Sequence, residues 1–303
     1  MKKNLLISTI VAGLILGSTA LYAGEKTAKE TISHSIKVSV EKEKKKQKEN
    51  FTAAPKEIVD GFNATVDAIE FLDKNDVQHA KKALRSASKN FDTALKASPE
   101  LDLVPFAQEV VVHEFLGNAK TVKKSLVLVG TLIDDYDTQV ARTVMAPLED
   151  EMIVTTQAIP MKLYPLATKN ALEALEKGKK DEAIELLDVS LNTIVTETVL
   201  MPLPLLVAED LVYAAADVDK ENKTDALKLL TLAQDELQKG IYLGYTKKHA
   251  PEYKAIDESI EAIKKEIKGK NAVEKLYDKL KESFGSLVDK SREKSSKHTS
   301  SKQ

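Results

Sequence analysis

Over most of the chain, apolar residues recur every three or four positions between charged ones, the spacing of amphipathic helices. The clearest instance is Ala68-Ile69-Glu70-Phe71-Leu72-Asp73-Lys74-Asn75-Asp76, followed by Ala80, Ala83 and Leu84. A second copy begins 103 residues later, at Ala171-Leu172-Glu173-Ala174-Leu175-Glu176-Lys177-Gly178-Lys179, followed by Ala183, Leu186 and Leu187. Each reads as helix, stop and helix, with Asn75 or Gly178 in the left-handed position that ends the first helix. A fragment of the pattern returns at 223–230, where Ala226, Leu229 and Leu230 match Ala183, Leu186 and Leu187. Solenoid arrays use such helix pairs, but these copies are unevenly spaced, which favours a duplicated hairpin within a bundle.

Each hairpin leads into an apolar, proline-marked stretch, 99–107 and 191–209, and the region between them contributes apolar runs at 110–116, 125–133 and 143–166. Their Val and Ile content is compatible with strands. With helical patterns flanking each run and only 11 Gly and 9 Pro in 303 residues, the expected form is buried helix with proline-broken ends. One or two strands near Met152–Ile159 are the open alternative. In 191–209 a β-branched run meets Pro202 and Pro204 and returns at once to Leu, Val, Ala and Glu, which predicts one buried helix ending and another beginning across an apolar joint. The expected fold class is therefore all-α: a compact bundle of antiparallel helical hairpins with an internal duplication.

The termini differ in kind. Lys2 and Lys3 precede an apolar stretch from Leu5 to Leu16, and small residues offer cleavage after Ala20 or Ala23. Residues 1–23 read as a signal peptide, with an uncleaved anchor as the competing reading. The expected location is the periplasm, without stable membrane insertion after signal removal. The absence of cysteine excludes a lipoprotein anchor and disulfides. Residues 24–50, ending in Glu41-Lys42-Glu43-Lys44-Lys45-Lys46-Gln47-Lys48-Glu49, read as a charged flexible leader or solvated helix. The folded helical domain is expected over 51–270, with a C-terminal helix at 271–285 closed by Ser283 and Gly285. A disordered basic tail is expected at 286–303.

Candidate chemistry is sparse. A net charge of -2, 5% aromatics and no tryptophan give no basis for nucleic-acid binding. No glycine-rich phosphate loop is present, and no cofactor is expected. Glu109 and His113 are four apart and would share a helix face, making them weak metal candidates. A di-iron bundle would need Glu-x-x-His on two helices, and a zincin would need histidine where Gly117 stands, so an ordinary side-chain pair is the expectation. Around the proline joint, Glu197, Met201, Pro202, Leu203, Pro204 and Glu209 are the candidate partner or ligand contacts. The two carboxylates among them lie beside apolar residues, where they serve either function or helix capping. Tyr242 and Tyr245 line a pocket or pack between helices. No catalytic residue emerges, and an enzyme is not expected.

Several of these pieces resemble the YfdX family of bacterial exported proteins. The resemblance rests on Leu191-Asn192-Thr193 and Thr196-Glu197-Thr198 leading into Pro202-Leu203-Pro204-Leu205. Tyr164-Pro165-Leu166, the Glu176–Lys179 turn, Val104-Pro105 with Glu109 and Glu114-Phe115, and the segment from Leu237 to Tyr245 support it. It implies an all-helical, homo-oligomeric periplasmic protein of stress tolerance with chaperone-like holdase activity toward unfolded clients, and small-molecule binding. The alternative is a helical binding module that takes a small molecule or peptide near the Pro202–Pro204 joint.

Overall fold

The computed structural model describes residues 27–51, 54–269 and 273–299. The expected signal peptide and its cleavage sites lie outside them. The chain is mostly helical, and a three-stranded sheet in the order β1-β2-β3 corrects the all-α expectation. The strands are β1 (Leu103–His113), β2 (Glu151–Pro160) and β3 (Val195–Pro202). All three fall in the apolar runs expected as helix, and β2 bears out the strand alternative at Met152–Ile159. Stiff β-branched residues at 110–112, 153–156 and 194–199 prefer the extended backbone, and that local preference outweighed the helical flanks. Asp102 accepts a hydrogen bond from the Met161 amide at 2.7 Å, and the Gln108 side-chain amide donates to the Thr156 hydroxyl at 3.3 Å. These pairings run in opposite numerical directions, so β1 and β2 are antiparallel.

The chain divides into two compact units, and the strands carry it from one to the other at 109/110, 154/155 and 197/198. One unit, 48–109 with 155–197, holds α2 (Lys56–Asp73), α3 (Val77–Ala97), α6 (Tyr164–Glu176) and α7 (Lys180–Asn192). The two predicted hairpins are these pairs. Asn75 and Gly178 sit at φ 63° and 75°. In each turn two amides return to the preceding helix: Asn75 to Leu72 and Asp76 to Phe71, then Gly178 to Leu175 and Lys179 to Ala174. This double closure satisfies carbonyls that a helix end otherwise leaves open. Ala68, Leu72, Ala80, Leu84, Ala171, Leu175, Ala183 and Leu187, the positions of the repeated pattern, form one core cluster. A second cluster gathers Ile58, Phe62, Phe91, Val104, Ile159 and Tyr164.

The other unit contains α1 (Ala28–Asn50, to Gln47), α4 (Ala119–Asp134), α5 (Thr138–Met145), α8 (Leu203–Val218), α9 (Lys223–Tyr242), α10 (Pro251–Lys268) and α11 (Glu274–Thr299). Eleven of the sixteen α8 residues are buried. A helix buried over most of its surface belongs in a core, and each buried Leu or Val contributes about 1.5–3 kcal/mol. The segment expected as a flexible leader is helix α1. Its Ile36 and Val40 join the α8 core, and the Ser39 hydroxyl donates to the Leu206 carbonyl at 3.3 Å. Apolar residues recur every four positions at Ile32, Ile36 and Val40, a spacing that the flanking lysines obscured. The C-terminal helix also runs past Gly285 to Thr299, with Leu287 and Val288 buried, so the expected disordered tail at 286–303 is helical through Thr299. No helix among the described residues is long and apolar enough to cross a membrane.

Candidate functional site

The proline joint is not two helices meeting. Helix α7 ends at Asn192, β3 follows, and α8 starts at Leu203. Pro202 has extended backbone and closes the strand, while Pro204 stands in the first turn of α8, where its missing amide proton leaves no bond unmade. The first free amide of that turn, on Leu203, donates to the backbone carbonyl of Asp150 at 2.9 Å. Residues 201–208 are all buried within the chain. The predicted contacts Met201, Pro202, Leu203 and Pro204 are thus core, closed to a ligand or partner in this conformation. Glu197 is exposed on β3, and Glu209 is half-buried on α8.

Asp150, which anchors α8, belongs to a buried polar cluster that the residue patterns did not single out. The Lys239 ammonium lies 2.8 Å from the Asp150 carboxylate and 2.6 Å from that of Glu236, with all three side chains 1–2% exposed. Glu236 and Lys239 are one turn apart on α9, on the stripe that also carries Ala226, Leu229, Leu230, Ala233 and Leu237. Two charged residues interrupting an apolar stripe three positions apart were the available signal. The second oxygen of Asp150 accepts the Phe115 amide at 3.2 Å. Its backbone amide donates to the Tyr245 hydroxyl at 3.1 Å, and that hydroxyl donates to Glu151 at 2.7 Å. Asp150 thereby pins the segment after β1, the start of α8, helix α9 and the turn after it.

Two carboxylates share one cation here. Burial pushes the Glu236 carboxyl up to about 7, against which the Lys239 charge works. Burial raises Asp150 likewise. Burial opposes the charge on Lys239, but Glu236 and Asp150 hold its pKa above the ordinary lysine value. The Tyr245 phenol is raised by burial and by its bond to Glu151. The cluster can take up one proton near neutrality. Lys239 has no exposed surface, so it cannot meet a substrate as a nucleophile. Tyr245 is a half-buried residue that hydrogen-bonds to Asp150 and Glu151, and Tyr242 accepts from Gln238 at 3.3 Å.

The metal candidates separate. Glu109 and His113 lie on strand β1, where four residues span about 13 Å, so they cannot share one ion as helix neighbours could. The His113 ring faces Glu149 at 3.2 Å instead. No group of three or more His, Asp or Glu positioned to hold a metal occurs among the described residues.

Several of the large apolar residues left exposed among the described residues lie on the hairpin of α4 and α5. Val127, Leu128, Ile133, Tyr136, Val140 and Met145 are 65, 48, 51, 89, 52 and 49% exposed. Asn118 caps α4 by accepting the Thr121 amide at 3.0 Å. The helix ends in the same double closure as the other hairpins, with Tyr136 to Ile133 and Asp137 to Leu132. Here the left-handed position, φ 62°, is held by a tyrosine whose ring faces solvent. The run 125–133 is helix, as its pattern predicts, but its outward face is open rather than buried.

Residues 62–200 match the family model described as YfdX protein. A crystal structure of YfdX from Salmonella Typhi is similar at 16% identity, covering 48% of this chain and 91% of that one, with a TM-score of 0.34. No curated protein matches. The resemblance read from Tyr164-Pro165-Leu166, the Glu176–Lys179 turn and Thr196-Glu197-Thr198 thus holds, and the matched span ends before Pro202.

Proposed function

With residues 62–200 carrying the YfdX match, we propose that this protein is a non-enzymatic, periplasmic stress-tolerance protein that holds partly unfolded clients. The observation that carries the reading is the set of large apolar side chains left exposed on α4 and α5. Exposed apolar side chains that gather in patches mark interaction surfaces. Tyr136 adds a second sign: a bulky residue in a left-handed turn, 89% exposed, sits where glycine or asparagine is easier. A tyrosine there costs stability, and we read it as serving contact. The charged exterior, 30% Asp, Glu, Lys and Arg, would keep client complexes soluble. The matching Ala and Leu positions of α2–α3 and α6–α7, gathered in one core cluster, support an internal duplication as the origin of that unit.

The alternative of a ligand module at the proline joint loses ground, because residues 201–208 are buried. The test is aggregation of a chemically unfolded model client with stoichiometric purified protein, at acidic and neutral pH. Suppression is expected, and Val140→Glu should reduce it. Equal aggregation with and without the protein at both pH values defeats the reading.

A further inference from the structure

Helix α3 is charged unlike the helices around it. It carries five cations, Lys81, Lys82, Arg85, Lys89 and Lys96, against Asp92 alone. Its companions in the unit are acidic: α2, α6 and α7 hold one lysine each against five, two and four carboxylates. Among the described residues, the one α3 cation that pairs with a neighbouring helix is Arg85, which meets Glu176 of α6 at 2.9 Å. The ammonium groups of Lys89 and Lys96 make no ion pair there. Arg85, Lys89, Asp92 and Lys96 recur every three or four residues, so they share one side of α3. That side borders a groove of about 410 Å³, with Ser88 at its edge and Leu172 of α6 as the apolar wall opposite. The volume suits a small molecule. Along the axis the cations form two seats. Arg85 and Lys89 are one turn apart, about 6 Å, and make a doubly positive seat beside the Ser88 hydroxyl. Lys96 stands about 10 Å beyond Lys89, and Asp92 between them repels an anion from the middle of the groove. Glu176 takes one Nη of Arg85 and leaves the other guanidinium donors for a ligand.

We propose that this groove binds a small sugar-like ligand that carries two phosphate groups, one on Arg85 and Lys89 and the other on Lys96. A phosphate brings about two negative charges at neutral pH and several acceptor oxygens, which matches the paired seat better than a carboxylate does. The Asp92 carboxylate only accepts hydrogen bonds, so the linker between the two phosphates must offer it hydroxyl donors. Leu172 covers the apolar face of that linker. The chemistry is shared by a free sugar bisphosphate and by the phosphorylated sugar head group of a lipid. The site belongs to α3 and α6, and it stands or falls independently of the client surface on α4 and α5.

The test is a phosphorus NMR titration of fructose bisphosphate with the full purified chain, repeated with an alkane bisphosphate of similar length that lacks the hydroxyls. Saturable binding of the sugar probe is expected, tighter than that of the alkane probe and weakened by added salt. Lys89→Gln and Lys96→Gln should each weaken it roughly tenfold. Lys120→Gln, the same change at an exposed lysine of α4, should leave it unaltered. Lys89 and Lys96 are exposed, so folding should survive, and circular dichroism confirms it. Asp92→Asn should improve binding of the alkane probe and narrow its gap from the sugar. Co-sedimentation with vesicles that display a bis-phosphorylated sugar lipid distinguishes the two sources. Pelleting that Lys89→Gln abolishes assigns the site to a lipid head group, and binding of the free probe alone assigns it to a soluble ligand. No saturable binding of either kind up to millimolar probe overturns the proposal. Binding that survives both lysine changes, or equal affinity for the two soluble probes, overturns it too.

Discussion

Glu236→Gln replaces a buried acid with a neutral group of the same shape, and its effect depends on pH in a direction fixed by the structure. The Glu236 carboxyl is raised from 4.5 to about 7, chiefly by burial. Below pH 4.5 it is protonated in folded and unfolded chains alike, and contributes no pH dependence. Between 4.5 and about 7 the folded chain keeps the proton while the unfolded chain loses it, so folding stability falls as pH rises. Above about 7 both states are ionised and the loss is complete. The interval is 2.5 pH units, and at 1.36 kcal/mol per unit the loss is about 3 kcal/mol. Glutamine cannot ionise, so the variant should gain about 3 kcal/mol relative to wild type between pH 4.5 and pH 8. Urea unfolding followed by circular dichroism at several pH values reads this difference, at one protein concentration so that association does not shift it. Parallel pH profiles for the two proteins would refute the reasoning, as would a variant that loses ground as pH rises.

Lys239→Met should be far more damaging, because it strands two carboxylates that are 1–2% exposed. A loss of about 3–5 kcal/mol is expected at pH 8 and less at pH 5, measured by the same urea titrations. Gly61→Ala should lower stability by about 1–3 kcal/mol in thermal melts. Its added Cβ would lie 2.8 Å from the ring of Phe91, which is fully buried and has no room to yield. Tyr136→Gly should instead raise stability by about 1 kcal/mol by relieving the left-handed turn. The same change should weaken client protection, which separates the stability of that residue from its use.

Much of the helical architecture was legible because it is local. Ala and Leu spacing located α2, α3, α6 and α7, and the turn chemistry of Asn75 and Gly178 placed their ends correctly. The strands were misread for a physical reason: Val110–Val112 and Val195–Val199 have a β-branched preference that flanking helices do not cancel. The apolar face of α11 at Val273, Tyr277 and Leu280 is legible, but the burial of α1 and of α11 beyond Gly285 is hidden, because lysine and glutamate crowd the solvent sides of helices whose inner faces carry Ile36, Val40, Leu287 and Val288. The proline joint was recognised as apolar and covered, yet what anchors it, Asp150, sits 53 residues before Leu203 in the chain. Partners so distant have no local pattern. Glu236 and Lys239 left only the interruption of an apolar stripe, which reads equally as a helix turned slightly toward solvent.

The claim that matters most is that α4 and α5 form the working surface. Hydrogen–deuterium exchange of the purified protein, with and without an unfolded model client, tests it most directly. The expected result is slowed exchange in 119–145, centred on the tip around Tyr136 and on α5, with the α8 core around 201–208 unchanged. Protection confined to other segments, or no protection while aggregation is still suppressed, would contradict it.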